Sequence, residues 1–193
     1  MASTRARLIE AAAALLEEGG PGAVTLREVG RRVGVSHNAP YKHFADKEDL
    51  LAAVAAAELR RGREGVLLIR DGRSAVEAVR LTIHAYARQA ITHPEMFRLT
   101  YGPWRNGSAE LAAAADDARA SLVQSVAAAQ ADGELPPGDP ERLTALLLAL
   151  AHGAADLALS GHLARNGKGH ADPADLIEDL FAQLTASGLG KHL

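Results

Sequence analysis

Side chains that can donate hydrogen bonds are concentrated in one short stretch of the chain, SHNAPYKHFADK. An Asn side chain can make two hydrogen bonds to the edge of an adenine, and Lys, His, Tyr and Ser can bind base edges or phosphate oxygens. The donors in this stretch are Ser36, His37, Asn38, Tyr41, Lys42, His43 and Lys47. The chemistry they offer is recognition of a nucleic acid by hydrogen bonds and charge.

The sequence patterns of common catalytic and metal centres are missing. The chain has no Gly-x-Ser-x-Gly turn, no His-Glu-x-x-His helix and no cysteine. The segment GHLARNGKG departs from a phosphate-binding loop because Gly161 and Gly167 are one residue too far apart and no Ser or Thr follows Lys168. The eight histidines are scattered, with His162 and His170 the one loose pair. We therefore predict no enzymatic activity, no cofactor and no bound metal.

Helix-start and helix-stop signals place the polar stretch in the second of two short helices. Thr25 followed by Glu28 is a capping box that opens the first helix, and Gly34 can end it in a left-handed conformation. Ser36 is an N-cap for the second helix, which we expect to end near Phe44. This pair is a helix-turn-helix, whose second helix enters the major groove of DNA. The alternative is that both are ordinary surface helices of a bundle.

Pro40 lies where the second helix should run. It is either the fourth residue after an N-cap at Ser36 or the first residue of the helix, and both positions lie in the first turn, where proline is tolerated. Because proline disfavours a helical backbone in the residue before it, we expect Ala39 to be less helical. The residues then expected to approach DNA are His37 and Asn38 for the bases, from the helix entrance, and Tyr41 and Lys42 for the phosphates.

The rest of the chain repeats the same helical signals and contains no predicted strand. Aromatic residues are only 4% of the 193 residues and alanine is abundant, which favours helix over sheet. Asp139-Pro140 and Asp172-Pro173 are matching helix starts, each an N-cap followed by proline at the first helical position. We predict an all-α protein of about nine helices.

The segment TLREVGRRVGVSHNAPYKHFADKEDLLAAV resembles the signature of the TetR family of transcriptional regulators, and Tyr-x-His-Phe followed by DKEDLL is specific to that family. The resemblance implies a DNA-binding head at residues 1–47 and an effector-binding and dimerisation body at residues 48–193. It implies DNA contacts at Thr25, Ser36, His37, Asn38, Ala39, Tyr41, Lys42, His43 and Lys47. Phe44 would be core, and Arg5 or Arg7 can reach a phosphate. Family members often have Gly-Thr-Leu or similar where this chain has Asn38-Ala39-Pro40, which affects base preference more than docking.

The resemblance also implies what this regulator does and with what it assembles. We expect a homodimer that binds a palindromic double-stranded operator as a repressor and is released by a small-molecule effector. The segments AYARQAITHPEMFRLTYG and AHGAADLALSGHL resemble the subset whose C-terminal domain is named for a Trp-His-Gly signature. His152-Gly153 fit that signature, but its Trp is absent. The last two long helices are apolar around much of their circumference, which favours pairing with a second copy.

An effector pocket is expected among the helices of the body, lined by apolar side chains with few polar groups. The candidate lining residues are His84, Met96, Phe97, Tyr101, Trp104, His152 and Asp156, with Tyr86 nearby. His152 and Asp156 are four residues apart and share a helical face. They are either polar anchors for the effector or a hydrogen-bonded pair within a dimer interface, and we favour the second reading.

Charge and hydropathy agree with a protein that binds DNA at one end. Residues 1–45 carry a formal charge of +2, and the remainder carries −5. The longest apolar run, LTALLLALAHGAADLAL, is interrupted by His152 and Asp156 and is short for a membrane span. We expect a cytoplasmic protein without membrane contact. The alternative is a helical metal- or ligand-binding interaction protein that does not bind DNA.

Overall fold

Helices account for nearly all of the regular structure in a computed structural model, which describes residues 2–104 and 107–189. The α-helices within those ranges are α1 Thr4–Ala23, α2 Leu26–Val33, α3 Lys47–Arg70, α4 Ala75–Thr92, α5 Pro94–Tyr101, α6 Ala109–Ala131, α7 Pro140–Leu159 and α8 Pro173–Leu189. A short 3-10 helix, Pro40–Lys42, lies between α2 and α3. The described residues form no strand beyond one isolated bridge between Ala164 and Gly169. The all-α prediction of about nine helices is therefore confirmed.

Side-chain caps begin the helices where the sequence places them. Asp46 Oδ1 accepts a hydrogen bond from the Asp49 backbone at 2.9 Å, which fixes the start of α3. Asp139 caps α7 in the same way, through a 2.9 Å hydrogen bond from the Glu141 backbone. Asp172 accepts from the Asp175 backbone at 3.0 Å ahead of α8. Proline follows Asp139 and Asp172 at the first helical position, where its missing N–H costs no hydrogen bond.

Glycines interrupt one helix and are tolerated in another. In α1 the backbone leaves the helical region at Gly19 and Gly20, where Gly20 has a φ of 67°, so the helix is kinked before Pro21. Helix α3 contains Gly62 and Gly65 but continues without a break to Arg70. An isolated glycine costs a helix only about 1 kcal/mol, which its neighbours can offset.

The described chain divides into two compact units. Unit 1 contains Met1–Gly62 and His93–Asp117, and unit 2 contains Arg63–Thr92 and Ala118–Leu193. Unit 1 has its own core, in which α1, α2, α3 and α5 bury apolar side chains together. Its fully buried members include Leu8, Leu16, Val29, Phe44 and Leu50. Phe44 is 1% exposed, so it belongs to the core as expected and anchors the polar segment before it.

Unit 2 has a separate core built around α4, α7 and α8. Val79 and Ile83 of α4 pack there with Leu147 of α7 and with Ile177 and Phe181 of α8. Helix α6 adds a further apolar stripe to the same cluster. Among the described helices, α7 alone is long and apolar enough to span a membrane, but only 28% of that stretch is buried within the chain. Much of its apolar surface is therefore left uncovered.

Candidate nucleic-acid interface

Helix α2 begins and ends as its sequence predicts. The Thr25 hydroxyl accepts a hydrogen bond from the Glu28 backbone at 3.1 Å. The Glu28 carboxylate binds Arg31, with Oε2 accepting from Nε at 2.8 Å, so the capping box is half formed. At the other end Gly34 has a φ of 74° and its N–H donates to the Arg31 carbonyl. This left-handed glycine turns the chain into the polar stretch.

The recognition segment, which we define as residues 36–44, is a tight turn followed by a three-residue 3-10 helix. The Ala39 N–H donates to the Ser36 carbonyl at 2.9 Å, and the Lys42 N–H donates to the Ala39 carbonyl at 3.2 Å. The helix begins at Pro40, its favoured first position, and has no side-chain cap. Of the two readings of Pro40, the structure shows the one in which the helix begins at Pro40, and the Ser36 N-cap with a helix from there to Phe44 does not form.

One expectation about this segment is wrong. Ala39 has φ −63° and ψ −42°, which is helical, although the residue before a proline is biased away from that region. Two consecutive turns, from Ser36 to Ala39 and from Ala39 to Lys42, meet at this residue. The hydrogen bonds of these turns outweigh the local steric bias.

Most of the predicted contact residues are exposed on the recognition segment. His37, Asn38, Lys42 and His43 are exposed, and Tyr41 is 51% exposed. His37 Nδ1 lies 3.3 Å from Asn38 Oδ1, and the His37 ring centroid lies 5.9 Å from that of Tyr41. Hydrogen-bond donors and acceptors for base edges are thus side by side, with one lysine available to neutralise a phosphate.

Three cations near this surface make contacts within unit 1. Arg5 forms an ion pair with Glu110 at 2.6 Å, and its guanidinium lies 5.2 Å from the Phe44 ring centroid. The Arg7 guanidinium donates to the Val33 carbonyl at 2.7 Å. Lys47 is half-buried and its Nζ donates to the Pro21 carbonyl. Each of them stabilises the local fold, and phosphate binding by Lys47 stays a prediction.

Gly30, a buried residue of α2, belongs to this site and was not among the residues predicted from the sequence. A Cβ built on Gly30 would lie 2.9 Å from Pro40 Cγ, closer than real Cβ atoms approach. Pro40 is buried, unlike its neighbours in the recognition segment. A glycine inside a helix is a known sign of close backbone approach, and that signal could have identified the contact.

The candidate effector residues are distributed over both units. In unit 1, Met96 and Phe97 are buried, and the Phe97 ring lies 4.9 Å from that of Tyr101. Trp104 packs against the unit 1 core, and its buried indole N–H has no hydrogen-bond partner among the described residues. The buried Thr100 hydroxyl likewise has no hydrogen-bond partner among the described residues.

In unit 2 two of the polar candidates, His152 and His84, have hydrogen-bond partners within the chain. His152 Nδ1 lies 3.0 Å from the Tyr86 hydroxyl, and Asp156 is exposed, so the favoured pairing of His152 with Asp156 within a dimer interface stays a prediction. His84 Nε2 binds the Glu178 carboxylate, which Arg80 also binds at 2.7 Å. Hydrogen bonds from Arg80 and then His84 hold the pKa of Glu178 below its usual range.

A groove of about 370 Å³ lies between α4 and α8 in unit 2. Its lining residues are Val76, Glu77, Arg80, Glu178, Phe181, Ala182 and Thr185. None of the seven candidate effector residues lines it directly, although His84 binds the Glu178 carboxylate at its wall. Across the described ranges, no three His, Asp or Glu side chains are placed to hold a metal ion.

Comparison with known proteins gives two family matches and several relatives. Residues 8–54 match the family of bacterial regulatory proteins named tetR, and residues 79–184 match the tetracyclin repressor-like C-terminal domain. An uncharacterized HTH-type transcriptional regulator of Mycobacterium bovis is 27% identical over 159 residues, which are 78% of this chain and 79% of that protein. An HTH-type transcriptional repressor of Mycobacterium tuberculosis is 32% identical over 128 residues, which are 61% and 65% of the two chains.

Among solved structures, a protein of unknown function from Rhodococcus sp. RHA1 superimposes with a TM-score of 0.79 at 28% identity. The superposition covers 96% of this chain and 97% of that one. The match at the C-terminal end is to the tetracyclin repressor-like domain, so the resemblance to a Trp-His-Gly subset stays a prediction.

Proposed function

The chain belongs to the tetR family of bacterial regulatory proteins, and we propose that it is a homodimeric repressor that releases a palindromic operator when a small molecule binds. It is a transcriptional regulator and not an enzyme. The Mycobacterium tuberculosis relative named a repressor supports repression over activation. We place the regulator in the cytoplasm, where its DNA lies.

The observation that carries DNA binding is the exposed cluster of donors on the recognition segment, directly after α2 and its left-handed glycine. In this proposal residues 1–47 form the DNA-binding head. His37 and Asn38 read base edges, and Tyr41, Lys42 and His43 bind phosphates or neighbouring edges. Thr25, which caps α2, and Ser36, at the start of the recognition segment, bind phosphates. Ala39 packs against the bases. The Lys47 ammonium leaves the Pro21 carbonyl and binds a phosphate instead.

Two heads are needed to read a palindrome, and the uncovered face of α7 supports a second copy. Leu146 is 66% exposed and Leu157 is 45% exposed on this helix. Gly153 has no atom within 4 Å of a Cβ built on it, which leaves room for close approach of another helix. In the dimer, half-sites lie about one helical turn of DNA, ~34 Å, apart.

Release by an effector requires that the ligand bind the DNA-incompetent state more tightly, since equal affinity for both states shifts nothing. We place the effector in the body, residues 48–193, and keep as its candidate contacts His84, Met96, Phe97, Tyr101, Trp104, His152 and Asp156. The unpartnered indole N–H of Trp104 supports a ligand with a hydrogen-bond acceptor. The chemical identity of that ligand is open.

The proposal is tested by binding of the purified protein to the DNA upstream of its own gene, measured by gel shift over a range of salt concentrations. We expect retention of a fragment that contains an inverted repeat. Lys42→Ala should weaken retention. It should also reduce the slope of the logarithm of the affinity against the logarithm of the salt concentration by about 1, because one phosphate contact is lost. Lys168→Ala, which removes an exposed lysine of the loop between α7 and α8, is the matched control and should change neither the retention nor its salt dependence.

Two results would contradict this function. If the wild-type protein retains no fragment at low salt, the chain is not a DNA-binding regulator, and a helical interaction protein that binds metal or ligand becomes the better description. If Lys42→Ala and Lys168→Ala weaken retention equally, the recognition segment is not the DNA-binding surface.

A further inference from the structure

Gly30 of α2 lies directly against Pro40 of the recognition segment. A Cβ on Gly30 would lie 2.9 Å from Pro40 Cγ and 3.4 Å from Pro40 Cδ. Pro40 is buried, whereas the residues on both sides of it are exposed or half-buried. The proline ring therefore occupies the space that any side chain at position 30 would need, and the two elements approach closely only because that residue is glycine.

Pro40 also determines the backbone of the segment. It has no N–H to donate to the Ser36 carbonyl, which accepts instead from the Ala39 N–H at 2.9 Å. The following hydrogen bond, from Lys42 to the Ala39 carbonyl, continues the tight turn. The segment thus becomes a turn and a 3-10 helix rather than a regular α-helix.

This backbone changes which side chains share a face. In a regular α-helix His37, Tyr41 and Phe44 would lie on one stripe, because residues spaced by four and seven positions align. Here His37 and Tyr41 are exposed, while Phe44 is 1% exposed. Phe44 lies beyond the end of the 3-10 helix at Lys42, so the buried anchor and the exposed donors do not share one helical stripe, and the polar side chains on both sides of Pro40 remain available.

We infer that Pro40, seated against Gly30, is a specificity-determining residue of the recognition segment. By preventing a regular helix, it makes His37 and Asn38 the base-reading residues at the segment entrance. Without it the segment would lengthen into an α-helix and offer a different set of side chains to the bases. This inference rests on the proposed function, because it concerns how that DNA-binding surface selects its sequence.

The test compares four proteins, the wild type, Pro40→Ala, Gly30→Ala and the double variant, by selection of bound sequences from random double-stranded DNA. Pro40→Ala restores an N–H that can donate to the Ser36 carbonyl. We expect its selected sequence to differ from the wild-type sequence at one or more base pairs, with a change in relative affinity of roughly tenfold at each. Pro94→Ala, at the start of α5, is the control and should select the wild-type sequence.

The glycine variants separate a change in specificity from a loss of fold. Gly30→Ala alone places a methyl group against the proline ring and should lower the thermal unfolding temperature. In the double variant the ring is gone, so we expect the unfolding temperature to recover and the selected sequence to match that of Pro40→Ala. The double variant also reports base preference if Pro40→Ala alone folds poorly.

The possible results distinguish a failure of this inference from a failure of the proposed DNA-binding function. If wild type and both Pro40 variants select the same sequence, Pro40 is merely structural and the inference is overturned while DNA binding stands. If the wild type selects no sequence and retains no DNA, the proposed function falls and the inference falls with it.

Discussion

At the scale of single residues, one carboxylate connects three helices of unit 1. Glu110, at the start of α6, binds Arg5 of α1 at 2.6 Å and Arg60 of α3 at 3.0 Å. Arg5 in turn lies over the ring of Phe44, the buried end of the recognition segment. A cation over an aromatic face is attracted by the ring quadrupole, which adds to the ion pair. Through Arg5, Glu110 therefore helps to fix Phe44, the buried end of the recognition segment, and it does not reach the exposed face of that segment.

The charge of Glu110 makes unit 1 sensitive to acid. Burial raises the pKa of its carboxyl, but hydrogen bonds from Arg5 and Arg60 outweigh that effect and hold the pKa below its usual 4.5. A carboxylate with a lowered pKa stabilises the folded state above about pH 4.5, and this stabilisation is lost as the pH falls through the lowered value. We expect Glu110→Gln to lower the free energy of unfolding near neutral pH by at most about 1 kcal/mol, since the pair is partly exposed.

The measurement is the thermal unfolding temperature from neutral to acid pH. The difference between wild type and Glu110→Gln should begin to shrink as the pH falls below about 4.5, where the unfolded chain takes up the proton, and should vanish below the lowered pKa of the folded state, where both proteins lack the charge. Glu10→Gln, an exposed carboxylate on α1, serves as control and should follow the wild type at every pH. A Glu110→Gln curve parallel to the wild-type curve would contradict the ion-pair account.

At the scale of helices, a carboxylate of α1 caps α5 across a long separation in sequence. Glu17 Oε1 accepts a hydrogen bond from the Met96 backbone at 3.0 Å, and Oε2 lies 3.3 Å from His93 Nδ1. The first N–H groups of a helix have no partner within it, and the positive end of its dipole favours a negative charge. Because α5 has no side-chain cap of its own, Glu17 supplies one from another helix.

We expect Glu17→Ala to destabilise unit 1 by about 1 kcal/mol, the usual cost of losing a helix cap. Glu17→Gln should cost less, because an amide oxygen still accepts the Met96 hydrogen bond. Chemical unfolding followed by circular dichroism gives both values, with Glu10→Ala on the same helix as the control. Equal stability of Glu17→Ala and Glu10→Ala would show that α5 does not depend on this cap.

The sequence predicts the elements whose cause is local and misses those whose cause is tertiary. Thr25, Asp46, Asp139 and Asp172 start helices because each cap bonds to a backbone N–H two or three residues on. The sequence leaves the start of the second helix open between Ser36 and Pro40, because the packing of Pro40 against Gly30 of α2 is a tertiary contact that local signals do not report. Residue type indicates the candidate effector residues, but it does not specify the unit or the partner of each side chain.

For the whole molecule, the main surface that still lacks an assigned partner is the apolar face of α7. Only 28% of its apolar stretch is buried within the chain, and Leu146 and Leu157 are exposed on it. A helix with this hydropathy needs an apolar environment along its length. Its opposite face already packs in the core of unit 2, through Leu147, Ala151 and Ala155 among others. A second copy of the chain is the partner that the proposed reading of a palindrome also requires.

We expect a charge on this face to separate the dimer. Leu146→Glu places a carboxylate within the apolar contact, where an unpaired charge is costly, so the variant should be monomeric at concentrations where the wild type is a dimer. Sedimentation velocity measures the state, and Leu68→Glu, at an exposed leucine of α3, is the control that should remain dimeric. Leu146 lies outside the recognition segment, so the monomer should retain weak binding to a half-site. It should lose the gain in affinity that two linked heads provide on the full operator, which is commonly about a hundredfold or more. A dimeric Leu146→Glu protein with unchanged operator affinity would mean that the two copies meet through another surface.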